Sequence, residues 1–177
     1  MQNQILFILC GKAFSGKSTL AKKISETYKA KLIGRDEIYF TLERLLALEN
    51  TPDNQDDELW KNLWPIAIQG VKNHLLLGQS VVFDDNCLHL YQRDELRSIA
   101  KEKGVRSILI YFDTPIETLK ERKEKNKISK IRHDVPSAWL EDDSERFETP
   151  KENENPIIFT PNDTFNDLIH ILKDNGI

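Results

Sequence analysis

The stretch from Ile5 to Thr19 constrains this chain more than any other. Ile5 to Leu9 is an unbroken apolar run, as a strand buried on both faces of a sheet requires. The run breaks at Gly11, and Gly11, Gly16, Lys17 and Ser18 then satisfy the pattern G-x-x-x-x-G-K-[ST]. Leu20, Ala21, Ile24 and Tyr28 follow at the spacing of one helix face. Glycine opens backbone conformations closed to other residues and lets the main chain approach a ligand closely. The backbone of Gly11, Ala13, Phe14, Ser15, Gly16, Lys17, Ser18 and Thr19 then presents amide donors, and the helix N-terminus a partial positive charge, to phosphate oxygens. Lys17 adds a full charge at the outer phosphates, and the Ser18 hydroxyl is placed to ligate magnesium. The loop is expected to bind a nucleoside triphosphate.

Beyond the loop, apolar strands alternate with helical patterns. Lys31 to Gly34, Val81 to Phe83, Ser107 to Phe112 and Ile157 to Phe159 read as four further strands. Helices are expected over Asp36 to Glu49, Glu58 to Leu77, residues 90 to 103, Pro115 to about Asn126, residues 136 to 147 and Thr164 to Lys173. Pro65 should kink the second of these or divide it into two, and Pro115 suits a first helical position. Residues 51–57 have the composition of an exposed loop. Nearly all-apolar strands separated by helices predict an α/β fold with a parallel sheet covered on both faces. At 177 residues, with no repeat or linker, one domain over 1–177 is the expectation.

Charge and cysteine content narrow the function classes. A net charge of -4 offers no global attraction for nucleic acid or anionic lipid, although a local basic groove is compatible with it. Nucleic acid is therefore not the favoured partner. No leader pattern or membrane-length apolar run is present, so the reading is a cytoplasmic protein without a membrane partner. Cys10 and Cys87 lack metal-ligand spacing, and Cys10 reads as a small apolar residue ending the first strand. Trp60, Trp64 and Trp139 read as core, and His74 and His89 as structural.

In parallel sheets ligands collect beyond the carboxyl ends of the strands. Asp36, the pair Asp84 and Asp85, and Asp113 each follow a strand and belong to that edge. Phosphoryl transfer needs an acidic group for magnesium and often a carboxylate to take the proton of the attacking hydroxyl. Asp84 or Asp85 suits the first role and Asp36 the second, with N-capping of the following helix as the rival for Asp36. Arg35 suits either an anionic acceptor's clamp or a surface ion pair. Asn86 borders the acceptor side. Lys120, Arg122, Lys123, Lys125, Lys127, Lys130, Arg132 and His133 make a basic stretch, read as a lid over about residues 115–135, with Arg122 its best candidate for stabilising transferred charge.

These residues resemble the P-loop kinases grouped with polynucleotide 5′-kinase and the small AAA-like ATPases beside it, with zeta-toxin and chloramphenicol phosphotransferase more distant. Residues 11–19 match the family's phosphate loop, and 32–37 its segment ending in Arg-Asp, which would make Asp36 the general base. Residues 81–88 resemble its apolar strand followed by Asp-x-x-Leu, aligning Asp85 with the family's acidic residue and, with Ser18, with magnesium. Residues 110–122 are similar to its fourth strand and lid entrance, placing Arg122 at a lid arginine; 135–140 and 146–150 resemble its late helix and last turn. Tyr39 stands where the family often carries an arginine, which speaks against an anionic acceptor. The family's second lid arginine is expected near Asn126, a place this chain fills without arginine, leaving Lys125 or Lys127 as substitutes. The resemblance implies strand order 2-3-1-4-5 in a five-stranded P-loop NTPase sheet. It implies an ATP- and magnesium-dependent transfer to a hydroxyl of a small molecule or polynucleotide 5′ end, with Arg35, Asp36, Asp85 and Asn86 on the substrate side. The alternative is a P-loop ATPase or nucleotide-dependent switch acting on a protein partner.

Overall fold

A computed structural model describes residues 4–45, 57–129 and 137–177. Five strands form one parallel sheet: β1 (Ile5–Cys10), β2 (Lys31–Gly34), β3 (Val81–Asp84), β4 (Arg106–Phe112) and β5 (Ile157–Phe159). Their order is β2-β3-β1-β4-β5, as the resemblance implied. β1 lies at the centre, with Phe7 in register with Val82 on one side and with Ile108 on the other.

The continuous apolar run of β1 has a direct cause, because successive side chains point to opposite faces and both faces are covered. Ile5, Phe7 and Leu9 join Val82, Ile108 and Ile110 under α1 (Lys17–Tyr28) and α7 (Phe165–Asp174). Leu6, Ile8 and Cys10 face the other way, joining Phe83 and Leu109 under α3 (Asp57–Leu76) and α4 (Leu90–Glu102). α2 (Arg35–Leu45) follows β2 directly, while α5 (Ile116–Ser129) and α6 (Ser137–Arg146) lie between β4 and β5. No helix among the described residues is long and apolar enough to cross a membrane.

Several expected boundaries move. Pro65 neither ends nor divides α3, which runs through it as one helix. Losing the proline's hydrogen bond costs about 3 kcal/mol. Leu63, Ala67, Ile68, Val71 and Leu75 are buried on both sides of that point, and their packing more than offsets it. Pro115 precedes the first helical residue, Ile116, and its carbonyl accepts the Leu119 amide at 3.1 Å. β3 extends one residue further than expected, so Asp84 is its last residue, in register with Gly34, rather than part of the loop beyond. The expected helical positions 46–49 and loop positions 51–56 lie outside the described residues.

Cys10 and Cys87 are free and fully buried. Burial pushes the Cys10 thiol up to about 12 and the Cys87 thiol well above its usual range. Neither thiol should react with a disulfide reagent at pH 8 in the folded protein, and both should react in denaturant. Fast labelling of the native state would contradict this packing.

Candidate active site

The loop between β1 and α1 is held in a conformation that explains its glycines. Gly11 has φ 150°, and a Cβ there would meet the Phe112 Cβ at 2.9 Å. Gly16 has φ 106° at the start of α1. Phe14, without glycine's freedom, also takes a left-handed φ of 63°. Such a residue signals a backbone held for a purpose.

Lys17 folds back over this loop. Its Nζ donates to the Gly11 and Lys12 carbonyls at 2.7 Å each, and to Ser15 Oγ at 3.4 Å. Burial lowers its pKa, and Asp84, then Asp85, Cys10 and Asp36 oppose that change. Three of the four expected strand-end carboxylates thus act on one ammonium group. The fourth, Asp113, is exposed and accepts the Tyr111 hydroxyl at 3.3 Å.

The two adjacent aspartates have different partners. Asp84 accepts a hydrogen bond from the Ser18 side chain; burial raises its pKa, and Lys17 and Ser18 draw it back. Asp85 is buried and forms a two-pronged pair with Arg35, through Nε to Oδ2 and through Nη2 to Oδ1 at 3.0 Å. It also accepts the Cys87 amide at 2.9 Å. Asp85, expected with Ser18 at magnesium, is thus held by Arg35, and it is Asp84 that meets Ser18. Asp84 and Ser18 put a carboxylate and a hydroxyl oxygen side by side, the hard donors that magnesium takes.

Arg35 is no free clamp either. Asp85 fills its fork, and its guanidinium lies 5.5 Å from the centre of the Trp64 ring. Burial alone would lower its pKa, but Asp85 outweighs that and raises it. Trp64, expected in the core, is partly buried and donates from Nε1 to Glu95 at 2.8 Å. Asp36 is exposed in the first turn of α2 rather than at its cap, a position where the helix N-terminus favours a negative charge. The Asn86 carbonyl accepts the Gly11 amide at 3.0 Å, and its side chain donates to Asp143 of α6 at 3.1 Å.

On the opposite side of the loop, Arg122 of α5 donates through Nη1 to the Phe14 and Ser15 carbonyls at 3.1 and 2.9 Å. It borders an open cavity of about 580 Å³ with Gly16, Thr19, Lys23 and Lys125, lined also by Phe159 and Thr160 at the end of β5. Asn126 also lines this cavity, whereas Lys127 pairs with Glu124 at 2.6 Å on the outer face. Lys130, Arg132 and His133 lie outside the described residues.

With this geometry in place, comparison with known proteins gives a decisive match: the family described as AAA domain matches residues 6–150. The chain belongs to that family. Over 151 residues it is 28% identical to the L-seryl-tRNA(Sec) kinase of Methanococcus maripaludis, covering 82% of this chain and 53% of that protein. The chain thus spans about half the length of that curated relative. A solved protein of Chloroflexus aurantiacus superposes with a TM-score of 0.78 at 16% identity, over 99% of this chain and 97% of the other. The Mycobacterium tuberculosis APS kinase, solved with AMPPNP and APS, gives 0.60 at 17% identity over 97% and 96%. These solved structures share the fold.

For this AAA domain member, sequence reasoning missed Asp143, Arg93 and Glu154, and left Glu148 without a role. Glu148 accepts the Leu90 amide at 2.8 Å, and its own amide donates to the Leu88 carbonyl at 2.8 Å. It ties the segment before β5 to the start of α4. The Arg35–Asp85 pair generates a stability prediction. Asp85→Ala strands the largely buried Arg35 charge and should lower unfolding stability by about 2–3 kcal/mol. Asp84→Asn, which keeps a partner for Ser18, should cost less than 1.5 kcal/mol, roughly one hydrogen bond. Denaturant titration of both variants checks the order; equal losses would contradict the division of roles.

Proposed function

We propose that this chain is a kinase that uses ATP and magnesium to move the γ-phosphoryl group onto an acceptor hydroxyl. The observation that carries the reading is the placement of Lys17 and Ser18 at the start of α1, Asp84 at the end of β3 and Asp36 at the start of α2, all at the carboxyl edge of one parallel sheet. The kinase named as the curated relative supports the same reading.

The roles follow from chemistry that is mostly positioning and charge neutralisation. Loop amides and Lys17 would hold the β and γ phosphates, with Lys17 exchanging its present carbonyl partners for phosphate oxygens. Asp84 and Ser18 would hold the magnesium ion, which when bound neutralises phosphate charge. Asp36 would accept the hydroxyl proton as the new O–P bond forms and the bond to ADP breaks. The 580 Å³ cavity beside Arg122 would take the nucleoside. α5 would serve as lid, with Arg122 stabilising charge on the transferred group and water kept from the site. Residues 1–177 would act together as one such unit.

Arg35 supports a narrower reading of the acceptor. Its Nε and Nη2 already face Asp85 and its guanidinium lies over the Trp64 ring, so it would wall the acceptor side instead of gripping an anion with that fork. The acceptor would therefore offer its hydroxyl without a phosphate group seated on Arg35. This agrees with Tyr39, buried at the position where the family often has an arginine.

Labelled ATP with magnesium, offered to unphosphorylated alcohols, seryl-tRNA and 5′-hydroxyl oligonucleotides, tests the proposal. Label should move to an acceptor; Lys17→Met should abolish transfer. Asp36→Ala should keep ATP binding while transfer falls by about 10²-fold or more. Asp84→Asn should weaken the magnesium requirement's benefit, whereas Asp85→Asn should leave it closer to wild type. Release of phosphate to water alone, indifferent to every acceptor, would overturn the reading.

A further inference from the structure

Arg93 is the largest fully buried side chain of the described residues, 1% exposed in the first turn of α4. All three donor nitrogens of its guanidinium are engaged. Nε and Nη2 donate to the two Glu154 oxygens at 2.7 and 3.0 Å, and Nη1 donates to the Cys87 carbonyl at 2.9 Å. The Cys10 sulfur lies 4.0 Å from Nη1 and itself donates to the Cys87 carbonyl at 3.6 Å. Glu154 also accepts from Arg97 at 3.0 Å and from the Lys151 amide at 3.1 Å.

A buried ion pair is weak support for stability, since well-packed apolar residues of similar volume often serve as well or better. Apolar residues cannot donate to the Cys87 carbonyl, and Cys87 is where a donor is needed. It has a left-handed φ of 45°, a strained choice for a non-glycine residue. It also sits in the segment that ties the site together. Asp84 meets Ser18, Asp85 meets Arg35, the Asn86 carbonyl meets the Gly11 amide, and the Leu88 carbonyl meets the Glu148 amide.

We infer that Arg93, oriented by Glu154, is a positioning residue: by holding the Cys87 carbonyl it fixes the 84–88 turn and so aligns Asp84 with Ser18 and the phosphate loop. The inference rests on the phosphoryl-transfer reading above. The donors of Arg93 go to Glu154 and the Cys87 carbonyl, so its action on the site runs through Cys87. Without its fork the Cys87 carbonyl keeps only the weak thiol donor of Cys10, and the turn relaxes from its left-handed form. Asp84 and the Gly11 contact are then no longer set to each other.

The test compares wild type, Arg93→Lys and the apolar double variant Arg93→Met with Glu154→Met. Each is melted, and each is titrated with a fluorescent N-methylanthraniloyl ATP with and without magnesium. The double variant should fold with a lowered melting temperature, because the Cys87 carbonyl and the Lys151 amide each lose a partner, and should bind the nucleotide alone close to wild type. Its gain in affinity on adding magnesium should fall roughly tenfold, the scale seen when groups supporting a metal site are removed. Its kcat should fall with the acceptor KM unchanged. Arg93→Lys, which keeps the charge and one donor, should lie between the two. A double variant with wild-type magnesium dependence would reduce Arg93 to packing and overturn the inference. Should the double variant fail to fold, a wild-type magnesium response in Arg93→Lys would overturn it equally. A wild-type protein that binds no nucleotide overturns the transfer reading itself, and this inference with it.

Discussion

A buried ammonium group is the demand around which this structure is arranged. Lys17 is taken out of water at the start of α1, where its charge is costly unless oxygen atoms surround it. The loop supplies two carbonyls at 2.7 Å, and the carboxylates of Asp84, Asp85 and Asp36 supply the opposing field. The parallel sheet, with β1 between β3 and β4, delivers those groups to one edge. The continuous apolar run of β1, buried under helices on both sides, is thus the foundation of the charged site above it.

The edge divides electrically at the phosphate loop. Toward β5 lie Arg122, Lys125 and Lys23 around a cavity sized for a small molecule. Toward β2 lie Asp36, the neutralised Arg35–Asp85 pair and Asp143, whose carboxyl is pushed up by burial. In the proposed reaction the nucleotide would lie on the first side, and the hydroxyl that gives up a proton on the second. The segment 84–88 connects them, with bonds to the loop, α2, α4 and α6, so its geometry sets both halves at once.

How much of this was legible in sequence depends on whether the signal is local. The β1 run and the glycines of the loop are local, since the strand needs apolar residues on both faces and Gly11 has no room for a Cβ beside Phe112. The strand order was available only through resemblance. Asp84 and Asp85 are one residue apart and chemically identical, so their roles hang on contacts with Ser18 and Arg35, distant in sequence. Asp85 finds Arg35 50 residues away, which no periodicity encodes. Arg93 was hidden for a related reason: a single arginine on a polar helix reads as surface, and its partner Glu154 lies 61 residues on. Pro65 does not divide α3, because packing against the sheet on both sides of it overrides the local break.

Amide hydrogen exchange on the intact protein, with and without ATP and magnesium, probes the central claim most directly. The account predicts that ATP with magnesium slows exchange in residues 11–19 and in the 84–88 turn together, with ATP alone protecting the loop more than the turn. Unchanged exchange in the phosphate loop when both are present would contradict it.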